Sequence, residues 1–229
     1  ARIETGNDDY VSNATRILVS ADDPSIVYFT GGNLYINCYG SLFRSIDYGN
    51  TFSQRSTNLT LLNPDHSIID GSVSQTNANE LLVVVGGGYS SYEIGFGTDR
   101  GIFISTDGGI NFDFATGISA NAIVDELFTH QRILARDPND DNKVYAYFEG
   151  SSNEGGIYSS NNGGRSWTYN SQQPLPQDTY FDKGCLRAHN SSSDLLYIAI
   201  LDEGLFSSDD GGNSWNSLGN FIRASQVDA

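Results

Sequence analysis

The chain has 229 residues, 38% hydrophobic and 12% aromatic, enough apolar material for the core of an ordinary single domain. Its formal net charge of −16, from 12 Lys+Arg against 28 Asp+Glu, argues against nucleic acid and anionic membrane surfaces as partners, because like charges repel at contact. No apolar run approaches the ~20 residues that span a bilayer, so no membrane insertion is expected; 25 Gly, 13 Tyr, 12 Phe and no Met favour short strands joined by tight turns.

In chain order, Arg16-Ile17-Leu18 reads as a first strand leading to an Asp23-Pro24 turn, and the run 26–29 as a second, central strand. Leu42-Phe43 is a third strand, and Phe52-Ser53-Gln54-Arg55 a fourth. Between them lies the box Ser45, Asp47, Gly49, Phe52. The same succession returns as Ser67-Ile68-Ile69, 81–85, Ile102-Phe103 and Phe112-Asp113-Phe114, around the box Ser105, Asp107, Gly109, Phe112. A third round runs through Arg132-Ile133-Leu134, matched by its Asp137-Pro138 to the first, then 144–148, Ile157-Tyr158 and Trp167-Thr168-Tyr169, with the box Ser160, Asn162, Gly164, Trp167. The fourth is opened by Cys185 and continues through 195–200, Leu205-Phe206 and Trp215-Asn216-Ser217-Leu218, with the box Ser208, Asp210, Gly212, Trp215.

Four repeats of four strands predict an all-β protein, a β-propeller of four blades with four antiparallel strands per blade. The expected organisation is an N-terminal extension 1–15, one propeller domain 16–218 with blades at about 16–57, 66–117, 131–171 and 184–218, and a tail 219–229. The boxes are spaced by 60, 55 and 48 residues, so particular connections carry the extra length, and such insertions are where function is sought.

Within a box, Gly permits a positive φ, the Asp carboxylate accepts turn N–H groups, and the aromatic plugs against the preceding strand. Asn162 keeps a side-chain acceptor without the charge, which points to a turn device. The runs 42–49, 101–109 and 156–164 resemble the Asp-box, or bacterial neuraminidase repeat, found in sialidases, in glycoside hydrolase family 74 xyloglucanases and in sortilin-type receptor propellers. The Asp-Pro pairs look most like the latter two branches. The resemblance implies the propeller fold and no single activity.

Two functional readings follow. One is a non-catalytic extracellular propeller that binds carbohydrate or an extracellular protein, or serves as a subunit of an extracellular assembly, with self-association possible. The other is a xyloglucanase-like glycoside hydrolase or part of one, which requires two facing carboxylates. Acids such as Glu93, Asp99, Asp125, Glu126, Glu154, Asp178 and Asp182 occur in connections, but no spacing selects a pair, and no catalytic residue is assigned. Binding falls to Tyr89, Tyr92, Glu93 and Phe96 on a Gly-rich insertion and to Tyr180 on a second connection, where aromatic rings can stack on sugars or anchor a protein. No cofactor or metal is expected: His66, His130 and His189 lack ligand spacing, and 137–142 lacks the Gly and Glu of a calcium loop.

Sequons at Asn13, Asn58 and Asn190 favour N-glycosylation and a secreted protein. A Cys38–Cys185 disulfide would tie the first blade to the last; two unpaired thiols are the alternative.

Overall fold

The computed structural model of the chain describes residues 13–32, 41–55, 67–86, 100–118, 122, 133–148, 155–171, 184–200 and 203–219. Their strands are β1 (Asn13–Val19), β2 (Val27–Gly32), β3 (Ser41–Ser45), β4 (Ser53–Gln54), β5 (Ser67–Val73), β6 (Leu81–Gly86), β7 (Gly101–Ser105) and β8 (Asp113–Phe114). They continue as β9 (Leu134–Arg136), β10 (Val144–Phe148), β11 (Gly156–Ser160), β12 (Thr168–Ser171), β13 (Gly184–Ala188), β14 (Leu196–Ile200), β15 (Gly204–Ser208) and β16 (Asn216–Gly219). Each consecutive set of four forms one antiparallel sheet, in the orders β1-β2-β3-β4, β5-β6-β7-β8, β9-β10-β11-β12 and β13-β14-β15-β16. The fold is all-β, a β-propeller with four four-stranded blades. Among the described residues no helix is long and apolar enough to cross a membrane.

Local composition explains the layering inside a blade. β6 (Leu-Leu-Val-Val-Val-Gly) and β10 (Val-Tyr-Ala-Tyr-Phe) are buried along their whole length, the mark of strands covered on both faces. The fourth strands of the first two blades, β4 and β8, are two residues long and exposed, so those blades taper outward into short edges.

The described residues group into two compact units, one holding β1–β8 and the other β9–β16 with residues 115–118. In each unit the two blades stack face on face. Cross-strand partners share a face, so Leu18, Tyr28 and Arg44 lie on one face of the first blade and Ile17, Phe29 and Phe43 on the other. The face bearing Leu18, Tyr28 and Leu42, here termed the forward face, joins one buried cluster with Val73, Leu81, Val83 and Phe103 of the second blade's rear face. The second unit repeats this packing: Ala135, Tyr145, Tyr147 and Ile157 of the third blade cluster with Leu186, Leu196, Ile198 and Ile200 of the fourth.

Polar contacts accompany the stacking. The Tyr28 hydroxyl donates to the Ala78 carbonyl at 2.7 Å, and Tyr145, at the same position of β10, donates to the Asp194 carboxylate at 2.6 Å. Arg16 Nε meets the buried Asp70 Oδ1 at 2.8 Å, and Lys143 Nζ meets Asp194 at 2.8 Å.

The connections at the two ends of a blade differ. The first-to-second-strand turns 20–26, 74–80, 137–143 and 189–195 have seven residues in every blade, as do the box connections 46–52, 106–112, 161–167 and 209–215. The second-to-third-strand connections 33–40, 87–100, 149–155 and 201–203 have eight, fourteen, seven and three.

These equal turn lengths correct the sequence alignment of the Asp-Pro pairs. Asp137-Pro138 opens its seven-residue turn, level with Ser20-Ala21, whereas Asp23-Pro24 stands at turn positions four and five, level with Asp140-Asp141. The physical requirement at turn position one is a side-chain acceptor for the N–H two residues on. Ser20, Ser74, Asp137 and His189 all meet it, with bonds of 3.2, 3.2, 2.8 and 3.1 Å. Proline is incidental to that role.

Cys185 on β13 is a half-buried free thiol, and Cys38 lies outside the described residues. Asn190 is exposed in the turn 189–195; the side chains of Asn13 and Asn58 lie outside the described residues.

Candidate functional site

The box is built by one serine and one carboxylate. Ser45 Oγ donates to Asp47 Oδ1 at 2.7 Å and accepts the Gly49 N–H at 2.8 Å, and Asp47 in turn accepts the Thr51 N–H at 2.8 Å and the Thr51 hydroxyl at 2.6 Å. Ser105 and Asp107 bind Gly109, Ile110 and Asn111 in the same way, and Ser208 and Asp210 bind Gly212, Asn213 and Ser214.

In the third blade Asn162 Oδ1 accepts from Ser160 and from the Ser166 N–H, each at 2.9 Å, while its Nδ2 donates to the Ser166 hydroxyl at 2.7 Å. The seventh box position, Thr51, Asn111, Ser166 and Ser214, is thus a working member that sequence reading passed over. Its signal is a side chain able to donate in all four copies.

These bonds set the electrostatics. Hydrogen bonds from Ser45 and Thr51 hold Asp47 at about 2, below the usual carboxylate range. Partial burial opposes the charge of Asp107 and Asp210, but their N–H and side-chain donors outweigh it and bring both to about 2.

A second recurrent bond ties the box to the seven-residue turn. Tyr48, Gly108, Gly163 and Gly211 each donate their N–H to the carbonyl of Ser25, Asn79, Asn142 and Asp194, at 3.0, 2.9, 2.9 and 2.9 Å. The donor must adopt a left-handed conformation, and the four φ values are 59°, 75°, 72° and 71°. Three blades use glycine there; the first uses tyrosine.

In the first box this tyrosine is joined by a second strongly exposed apolar residue. Tyr48 is 72% and Ile46 67% exposed. Where the first blade has Ile46, the others carry the exposed polar residues Thr106, Asn161 and Asp209. On the same blade Ile17 is 71% and Val19 48% exposed, although their counterparts Leu186 and Val73 are buried. Ile46 and Tyr48, two residues apart in one box, form a candidate interaction surface on the first blade, and Ile17 and Val19 are separately exposed on its β1. Large apolar groups left in water on one blade of a repeat, opposite polar or buried equivalents elsewhere, are the kind of patch that marks binding.

The binding residues expected from sequence, Tyr89, Tyr92, Glu93, Phe96 and Tyr180, lie outside the described residues, as do Glu93, Asp99, Asp125, Glu126, Glu154, Asp178 and Asp182 among the acids. Among the described residues no group of His, Cys, Asp and Glu is arranged to hold a metal ion. The described carboxylates with a displaced pKa, Asp23, Asp47, Asp107, Asp194 and Asp210, are all displaced downward.

No protein-family model and no curated protein matches the chain in sequence. Solved structures do resemble it. A GH74 enzyme of Niastella koreensis superposes with a TM-score of 0.65 at 18% identity, over 90% of this chain and 29% of that one. A protein of unknown function from Dyadobacter fermentans gives 0.56 at 12% identity, over 90% and 69%. A Hadza microbial sialidase gives 0.53 at 17% identity, over 90% and 45%. At these identities the likeness concerns the fold, and the chain spans less than half the length of the two enzymes.

Proposed function

We propose that the chain is a non-catalytic, extracellular propeller module of the Asp-box repeat type. It works by binding carbohydrate or an extracellular protein, and as a subunit of an extracellular assembly. The observation that carries this reading is Tyr48. A non-glycine residue in the left-handed region costs about 1 kcal/mol relative to an ordinary conformation, and here it holds an aromatic ring in solvent at a position that three sister boxes give to glycine. Backbone strain that displays an exposed ring serves contact rather than folding. Ile46 beside it widens the apolar surface. The exposed sequon Asn190 supports secretion, and Tyr89, Tyr92, Glu93, Phe96 and Tyr180 belong to the same proposal as further contacts.

The hydrolase alternative needs a carboxyl with a raised pKa as general acid; the acids of the connections that could supply one, Glu93, Asp99, Asp125, Glu126, Glu154, Asp178 and Asp182, lie outside the described residues.

Tyr48→Gly and Ile46→Thr, which install the residues of other boxes, test the reading. On an array of plant and animal glycans both variants should lose wild-type binding at least about tenfold, the usual effect of truncating a contact anchor, while the thermal midpoint of Tyr48→Gly stays level or rises. Wild-type binding by both variants, or turnover of xyloglucan by the wild type, would overturn it.

A further inference from the structure

We propose that the Asn162-Gly163 step of the third box is a modification site: a spontaneous deamidation that the closed box holds back and that opening of this end of the blade releases. The reaction is independent of what the propeller binds. Three observations carry it.

The first is the choice of residues. Asn162-Gly163 is the one Asn-Gly step in the 229-residue sequence, and glycine has no side chain to crowd its own nitrogen as it approaches the side-chain carbon before it. The other boxes carry Asp107-Gly108, Asp210-Gly211 and Asp47-Tyr48 at this step. Their carboxylates are ionised at neutral pH, with pKa values of about 2, and an ionised carboxylate resists attack because it has no leaving group. The neutral amide of Asn162 has one. The Gly163 nitrogen bonds to Asn162 Cγ, the C–N bond of the side-chain amide breaks, and the Gly163 proton departs with that nitrogen as ammonia, leaving a cyclic imide. Water then adds to either imide carbonyl and reopens the ring, to aspartate or to isoaspartate.

The second is how the structure keeps the reacting groups occupied. Gly163 is buried and donates its N–H to the Asn142 carbonyl at 2.9 Å. The Asn162 amide is held at both ends, by Ser160 and the Ser166 N–H on Oδ1 and by the Ser166 hydroxyl on Nδ2. Arg165 donates to the Asn162 carbonyl between them at 3.0 Å. Attack needs both partners freed, the nitrogen from Asn142 and the amide from Ser160 and Ser166.

The third is the fate of the two products. Aspartate is the residue of the sister boxes, and Ser166 can donate to it as Thr51 and Ser214 do to theirs. Isoaspartate turns the carbonyl that accepted from Ser160 and Ser166 into main chain and adds a carbon to a connection that has seven residues in every blade. The first product permits the box to close again; the second bars it.

Peptide mapping of the full chain aged at neutral pH tests this. In denaturant the peptide holding Asn162 should convert ahead of the other Asn peptides, and in the folded chain it should convert at least about tenfold more slowly, as a site that reacts only through local opening. Ser166→Ala, which frees one end of the amide, should convert faster than the folded wild type at an unchanged circular dichroism spectrum. Asp210→Asn places an amide before Gly211 and should give the fourth blade the same reaction in denaturant and the same protection when folded, whereas Asp47→Asn, before Tyr48, should stay slow in both. The Asp210→Asn arm removes no donor from the box, so the outcome does not depend on how well Ser166→Ala folds. After the denaturant is removed from aged protein, the aspartate product should return to the folded fraction, and the isoaspartate product, recognised by isoaspartate methyltransferase, should stay out of it. Equal rates in the folded and denatured wild type overturn the proposal, as does a denatured Asn162 peptide that stays unchanged while others convert, or isoaspartate at 162 in the refolded fraction.

Discussion

At the third box position Asp47, Asp107 and Asp210 accept through both carboxylate oxygens, whereas Asn162 accepts through one atom and donates through the other. The hydroxyl at position seven makes this exchange possible, since it can turn from donor to acceptor. Asp210→Asn should therefore fold normally at pH 7, with Ser214 reversing its bond as Ser166 does, while Asp210→Ala should lower stability by about 1–2 kcal/mol, the usual effect of losing several turn hydrogen bonds. Equal losses in chemical denaturation for the two variants would refute this account. The acid limb follows from the same bonds. A carboxylate whose folded pKa is about 2, below its unfolded value of 3.8, contributes stability that is present above pH 4 and lost as pH falls toward 2. Circular dichroism should show the wild type losing stability across that window, and Asp210→Asn losing less of it.

Between elements, the box glycines Gly49, Gly109 and Gly212 differ in what stands over them, although their φ values of 82°, 84° and 89° are alike. Gly49→Ala meets only the left-handed strain, about 1 kcal/mol. Gly109→Ala adds a clash with Leu42, a fully buried side chain with little room to turn, and overpacking of that kind costs a further 1–3 kcal/mol or so. The thermal midpoint of Gly109→Ala should fall at least about twice as far; equal falls would mean that the blades do not press on each other there. Much of this architecture was legible in the chain. The fourfold box announced four blades, and apolar runs such as 81–85 and 144–148 became β6 and β10 because continuous burial needs no alternation. The seven-residue turns were misaligned because Ser20, Ser74, Asp137 and His189 share an acceptor but no residue type. Ile46 and Tyr48 were passed over because they occupy the unspecified positions of the motif, where only comparison among its own copies reveals that apolar side chains are out of place.

For the whole molecule, a net charge of −16 with so many carboxylates held ionised means that self-repulsion opposes folding at neutral pH. Raising salt from roughly 0.05 to 0.5 M, which shortens the screening length severalfold, should raise the thermal midpoint; a midpoint that falls or stays fixed would show that local pairs such as Arg16–Asp70 outweigh the general field. The unequal connections at the two ends of each blade carry a last consequence. Where the box and the seven-residue turn are bonded together, neither loop can gain a residue without breaking the tie and shifting the strand pair it closes. The opposite end closes the same four-stranded frame with connections of three to fourteen residues, so its length is not fixed by the frame. Foreign peptides spliced into 33–40 or 149–155 should therefore be displayed without disturbing the frame, making each blade a socket that accepts new loops from one side only.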